Sequence, residues 1–171
     1  MVALDASGPS QRALALAVEI ACGLNAELVM TTVVIDAPLS EQERRIAETE
    51  FAVEIRERLG VMPTQEPAAT LSGITRDFAL AEQHGRDIRL VLADGVLEAA
   101  NSKAEAAGAQ RRRTMVLIGD PAEQILAALK SESFDLLVTG RRARGSIQEF
   151  LLGGVSRELV RSAGCAVAVV P

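Results

Sequence analysis

Aromatic residues are nearly absent from this chain, which has four Phe, no Trp and no Tyr in 171 residues. Its core must therefore be aliphatic, and the aromatic platforms on which single-stranded nucleic acid stacks are missing. A net charge of −5 also lacks the basic footprint of a nucleic-acid binder. The single His, His84, has no Cys or second His beside it, so no zinc pattern and no Ser/His/Asp set can be assembled. Paired carboxylates marking a metal site are absent as well. Cys22 and Cys165 both stand in apolar sequence and read as small hydrophobes rather than a disulfide. No apolar run reaches the length of a membrane span, and no basic stretch followed by an apolar one opens the chain. The expectation is a cytoplasmic protein without membrane or nucleic-acid partners.

What is present is alternation. With 49% hydrophobic and 24% charged residues, the chain has the composition of one globular domain, residues 1–171, without internal repeats. Met1–Asp5 is a short apolar strand. Pro9 suits the first turn of a helix with Ser7 or Gly8 as cap, Ala13, Leu14, Ala17, Val18 and Ala21 on one face, and Gly23 as its stop. Leu28–Ile35 is a continuous β-rich run, as in a strand covered on both faces. Ser40 and Glu43 form a capping box that opens a helix over 41–59, with Ala47, Phe51, Ile55 and Leu59 as its stripe and Gly60 as its end. Residues 61–72 read as a loop, and 74–84 have only a weak helical tendency. The run Ile88–Ala93 suits a strand or a helix by composition. The stripe Ile88, Val91, Leu92, Val96, Ala99, Ala100 predicts a helix over 86–107, which a parallel crossover also requires. Arg111–Arg113 reads as a solvated basic loop. Thr114–Ile118 is a strand, Asp120-Pro121 with Glu123 opens a helix, Phe134–Thr139 is a strand, and Ala166–Val170 is the last one.

Between the last two strands lies Gly140-Arg-Arg-Ala-Arg-Gly-Ser-Ile-Gln-Glu-Phe-Leu-Leu-Gly-Gly-Val-Ser156, followed by a short helix over 157–163. A strand, a basic Gly-containing loop and a helix N-terminus form an arrangement that holds phosphates, because free N–H groups and the helix dipole point at the anion. Arg141, Arg142 and Arg144 add charge-assisted donors. The spacing from Gly140 to Gly153 resembles the nucleotide loop of the universal stress protein family, Gly-x2-Gly-x9-Gly-Ser/Thr. Ala143 stands where the second Gly of that pattern would be, and Gly154 where the Ser/Thr would be. Asp5-x-Ser7-x-x-Ser10 is similar to the family's opening, with Ala6 in place of Gly. Cys165 and the valines resemble its closing strand, with Ala166 in place of Pro. The first strand is short by several residues relative to the family's usual one, which fits a short native strand or a start set downstream. The recognisable resemblance covers residues 1–36 and 114–171, and 37–113 reads as an enlarged helical insertion.

The resemblance implies an α/β fold, an open five-stranded parallel sheet of order 3-2-1-4-5 with helices on both faces, Rossmann-like and of the adenine-nucleotide alpha-hydrolase-like type. It also implies a site at the switch point between strands 1 and 4. There Asp5 and the backbone at Val34 would hold adenosine. Gly140, Gly153, Gly154, Val155 and Ser156 would hold the phosphates of ATP or AMP, with Arg142 nearby. Each position has a plain structural alternative: Asp5 as a cap of the first helix, Val34 as a core strand residue, Ser156 as a cap of the last helix. Two functions follow. One is a universal-stress-type regulator that binds an adenine nucleotide without efficient turnover. The other is a dimeric interaction module of the same fold that binds none. In both, a homodimer forms through Ala166–Val170, an apolar edge strand. A pyrophosphatase of the related adenine-nucleotide hydrolase superfamily would carry Ser-Gly-Gly-x-Asp-Ser after the first strand, and Asp-Ala-Ser-Gly-Pro-Ser does not match it. No catalytic residue is assigned.

Overall fold

The computed structural model describes residues 1–5, 7–58, 85–141 and 153–171, and only the backbone of Gln42 and Arg56. The chain forms two compact units, residues 1–33 with 95–171, and residues 34–94. The expected loop at 61–72, the weak helix at 74–84, Leu59, Gly60 and His84 lie outside the described residues.

Five strands form one sheet: β1 (Val2–Leu4), β2 (Leu28–Val34), β3 (Arg112–Ile118), β4 (Leu136–Gly140) and β5 (Ala166–Val170). Their order is β3-β2-β1-β4-β5, with all strands parallel, the order that the family resemblance implies. Short β1 is central. Val2 pairs with Met30 on one side and Val138 on the other, and its side chain is fully buried. Apolar runs such as Leu28–Met30 are buried because helices cover both sheet faces. On one face, Leu4, Ala13, Leu14, Val18, Leu97 and Ala104 pack into a cluster. Val29, Ile125, Leu137 and Leu159 make up a second.

Helix α1 (Gly8–Leu24) takes Ser7 as its cap, and its expected apolar face is the buried one. It does not stop at Gly23. The chain turns at Asn25, whose φ is 50° and whose N–H bonds back to Ala21 and Cys22. Asn tolerates the left-handed conformation through its short polar side chain, so Gly23 is left inside the last turn. Cys22 lies on the helix's exposed side, contrary to its apolar sequence surroundings, while Cys165 packs on the second cluster.

In the second unit the capping box at Ser40 is present, but the helix expected over 41–59 is two, α2 (Glu41–Thr49) and α3 (Ala52–Arg58). The break follows Thr49, whose hydroxyl donates to the Arg45 carbonyl at 2.9 Å and competes with the helical ladder. Leu39, Ala47, Ile88 and their neighbours Ile55 and Leu92 form this unit's core. Helix α4 (Gly85–Ala106) matches the expected span, although its buried stripe runs on through Leu97 and Ala104 and leaves Ala99 exposed. The boundary between the units falls within it, at Asp94 and Gly95.

The basic run is not a solvated loop. Arg112 reaches Asn101 Oδ1 and the Ala109 carbonyl, both at 3.0 Å, and Arg113 pairs with Glu27 and Glu132, so β3 begins two residues early. Helix α5 (Pro121–Ser131) is capped by Asp120, whose Oδ1 accepts from Ala122 and Glu123 at 3.0 and 3.1 Å. Helix α6 (Gly154–Ser162) starts three residues before its expected position.

Candidate functional site

Within the first unit, the chain leaving β1 closes a small hydrogen-bonded ring. Asp5 Oδ1 accepts from the Ser7 N–H at 3.1 Å and from its hydroxyl at 2.5 Å. Ser7 Oγ accepts from the Ser10 N–H at 3.3 Å, and Ser10 Oγ accepts from the Asp5 N–H at 3.1 Å. Asp5 is exposed and Ser10 buried, so the ring is anchored in the core and presents its carboxylate outward. Ser7, not Asp5, caps the helix, while Asp5 orients the cap.

This helix start lies against the end of β4. A Cβ placed on Gly140 would sit 2.6 Å from both the Pro9 carbonyl carbon and the Ser10 nitrogen, and 2.9 Å from the Pro9 oxygen. Only glycine lets α1 come so close. On its other side the Gly140 carbonyl accepts from Ser156 Oγ at 3.2 Å. Ser156 is buried in the first turn of α6, and the cap of that helix is Gly153, which contributes no side-chain bond. The backbone of Arg141 is held in turn by the Val170 carbonyl at 2.7 Å. Two helix N-termini, those of α1 and α6, thus meet on one strand residue. At α6 the first turn has no side-chain cap and its N–H groups and partial positive charge favour an anion, whereas at α1 Pro9 has no N–H and the Ser10 N–H is taken by Ser7 Oγ.

Of the residues singled out from the sequence, Asp5, Gly140, Gly153, Gly154, Val155 and Ser156 belong to this unit. Gly154 and Val155 are exposed. Val34 ends β2 in the second unit, with 2% of its surface exposed. Arg142, Ala143 and Arg144 lie outside the described residues. Sequence reasoning missed Pro9 and Ser10 as the surface against which Gly140 fits. The phase of α1 was the available signal for Ser10, which shares the buried face with Ala13, Leu14 and Ala17. It also missed Arg12, whose Nε donates to the Pro171 carbonyl at 2.7 Å. In the second unit it missed the buried Arg89. Among the described residues, no group of three His, Cys, Asp or Glu side chains could hold a metal ion, and no helix is long and apolar enough to cross a membrane.

The sheet order, with its switch point between β1 and β4, and the glycine contact at the end of β4 define a Rossmann-like α/β protein. The model of the Universal stress protein family matches residues 1–171, including the stretch 37–113, which carries none of the family's motifs. The chain belongs to that family. It is 32% identical over 109 residues to the universal stress protein YxiE of Bacillus subtilis, covering 62% of this chain and 73% of that protein. It is 40% identical over 63 residues to a universal stress protein of Thermus aquaticus, covering 37% of this chain but 46% of that relative's length. Among solved structures, UspA from Lactobacillus plantarum superposes with a TM-score of 0.62 at 20% identity, over 99% of this chain and 95% of that one. A universal stress protein in complex with cAMP gives 0.58 at 23%, over 99% and 94%. The Archaeoglobus fulgidus protein in complex with dAMP gives 0.54 at 17%, over 99% and 94%. At these identities the structural likeness is one of fold.

Proposed function

We propose that this chain is a regulatory universal stress protein that binds an adenine nucleotide, ATP or AMP, without efficient turnover, and that it acts in the cytoplasm, where its two free thiols persist. The observation that supports nucleotide binding most is the meeting of two helix N-termini on Gly140. In this reading Gly140 and the backbone N–H groups of Gly153, Gly154, Val155 and Ser156 hold phosphates, with Arg142 nearby. Asp5 holds the adenosine end. The Ser156 hydroxyl is directed to Gly140, so the backbone of α6 supplies the phosphate donors. That two proteins of the same fold were solved with cAMP and dAMP is in keeping with an adenine ligand.

The test is titration calorimetry with ATP and AMP on the wild type, Gly154→Ser, and Gly154→Ser combined with Asp5→Ala. A Cβ at position 154 meets no atom within 4 Å, so serine fits there. A hydroxyl donating to a charged phosphate contributes about 1.5–3 kcal/mol, so affinity should rise roughly tenfold or more. Removing Asp5 should cancel most of the gain. No heat from the wild type or Gly154→Ser at millimolar nucleotide would overturn the reading.

A second reading rests on β5, which ends the sheet order and whose residues 167–170 are only half-buried in the single chain. There the protein is a homodimeric interaction module joined through Ala166–Val170 and binding no nucleotide. Light scattering at micromolar concentration tests the dimer, and a monomer would exclude it.

A further inference from the structure

Helix α1 returns a guanidinium to its own N-terminus. Arg12 stands in the second turn, and helical side chains lean towards the start of their helix. Its Nη1 lies 3.6 Å from the position that a Cβ on Gly8, the first helical residue, would take. Nε donates to the Pro171 carbonyl at 2.7 Å, the one hydrogen bond that Arg12 makes among the described residues. Both Nη groups therefore keep their N–H donors for another acceptor. A cation in this place is unfavourable beside the positive end of the helix dipole, and the first turn contains no acidic residue to offset it. An anion bound there would do so. The backbone of α1 has little left to offer such an anion: Asp5 takes the Ser7 N–H, Ser7 takes the Ser10 N–H, and Pro9 has none. Pro171 directly follows Val170, which pairs with Gly140 and accepts from the Arg141 N–H. The anchor of Arg12 thus stands beside the end of β4.

Resting on the nucleotide-binding reading, we propose that Arg12 is the residue that selects a triphosphate over a monophosphate. The N–H groups of α6 hold the phosphate next to the nucleoside, and the Nη donors of Arg12 take the terminal one. The two helices divide the ligand between them: α6 contributes neutral backbone donors, while α1 contributes a full positive charge. A guanidinium fork matches two oxygens of a terminal phosphate with parallel, charge-assisted bonds. AMP ends at the phosphate that α6 holds and leaves Arg12 unused.

The experiment is titration calorimetry of the full chain with ATP and with AMP, as wild type, Arg12→Gln, Arg12→Lys and Arg161→Gln. Arg161, in the last turn of α6, makes an exposed ion pair with Glu158 at 2.7 Å and controls for the loss of a surface charge. The wild type should bind ATP about tenfold more tightly than AMP, the worth of a hydrogen bond to a charged group. Arg12→Gln should weaken ATP by about tenfold and leave AMP within about twofold, so that the preference is lost. Arg12→Lys should keep part of the preference, because the charge remains without the fork. Arg161→Gln should match the wild type with both ligands. An unchanged ratio of ATP to AMP affinity in Arg12→Gln would overturn the proposal. So would an equal loss of both ligands, the mark of a residue that only holds Pro171. A wild type that binds AMP as tightly as ATP would overturn it while leaving the nucleotide reading intact. Binding of neither would overturn that reading, and this one with it.

Discussion

The two compact units hold their backbone by opposite means. In the first, the parts around Gly140 are fixed by main chain and small side chains: a glycine against Pro9 and Ser10, two serine hydroxyls, and a helix with no side-chain cap. In the second, the chain after β2 is fixed by one long buried cation, Arg89, and its carboxylate, Glu43. A backbone-built arrangement is indifferent to charge but intolerant of a single methyl group. A side-chain clamp is the reverse, tolerant of small changes in packing yet dependent on one ionised pair. Steric substitutions should therefore damage the first unit and acid the second.

The largest expected effect is on the first. Gly140→Ala would put a methyl group 2.6 Å from backbone atoms of Pro9 and Ser10, which cannot rotate out of the way as a side chain end can. Either α1 or β4 must move, and overpacking of this kind costs about 3 kcal/mol. Urea unfolding should show that loss, accompanied by loss of whatever nucleotide affinity the wild type has. Because Gly140 pairs with Val170 in the ladder, the displacement should also reach β5. Unchanged stability in this variant would mean that the close contact is not needed.

The next effect is smaller and belongs to the second unit. Burial alone would raise the Glu43 carboxyl, but the bonds from Arg89 and from the Ser40 hydroxyl and N–H outweigh it and bring its pKa down to about 2. Since the folded value lies below the ordinary 4.5, the stabilisation is complete above about pH 4.5 and is lost as pH falls from there towards 2. The Glu43 side chain is 33% exposed, so solvent screening reduces its worth to about 1–2 kcal/mol. Glu43→Gln should be less stable than wild type by that amount at pH 6, and the gap should close by pH 2. A gap independent of pH would show that the carboxylate charge is not what holds the clamp.

This contrast also explains what the sequence disclosed. Strand order and the capping residues Ser40 and Asp120 were legible because local patterns and a recognised loop carry them. The role of Gly140 was legible only as a motif position. The residues that demand its missing side chain stand at the other end of the chain, and no local pattern refers to them. Arg89 was invisible for a related reason. It interrupts the apolar run Ile88–Ala93 as any solvent-facing residue of an amphipathic helix would, and Glu43 was already accounted for as a helix cap. A side chain with two roles shows only the local one. The break after Thr49 was missed because no glycine or proline marks it.

The smallest effect separates the glycine that the first unit needs from one that it does not. Gly23 reads from the sequence as the stop of α1, and in that role a side chain would be strained. The left-handed residue is instead Asn25, and Gly23 lies inside the last helical turn, where an added Cβ would meet nothing within 4 Å. Glycine in such a position is less favourable than alanine by about 0.5–1 kcal/mol, because it gives the unfolded chain more freedom to lose. Gly23→Ala should therefore stabilise the protein by about that amount, where Gly140→Ala destabilises it by about 3 kcal/mol. Both variants can be followed by the same urea titration, with the helix signal as readout. If Gly23→Ala were destabilising, the turn would lie two residues earlier, and the phase that buries Ser10, Ala13, Leu14, Ala17, Val18 and Ala21 would have to end with it.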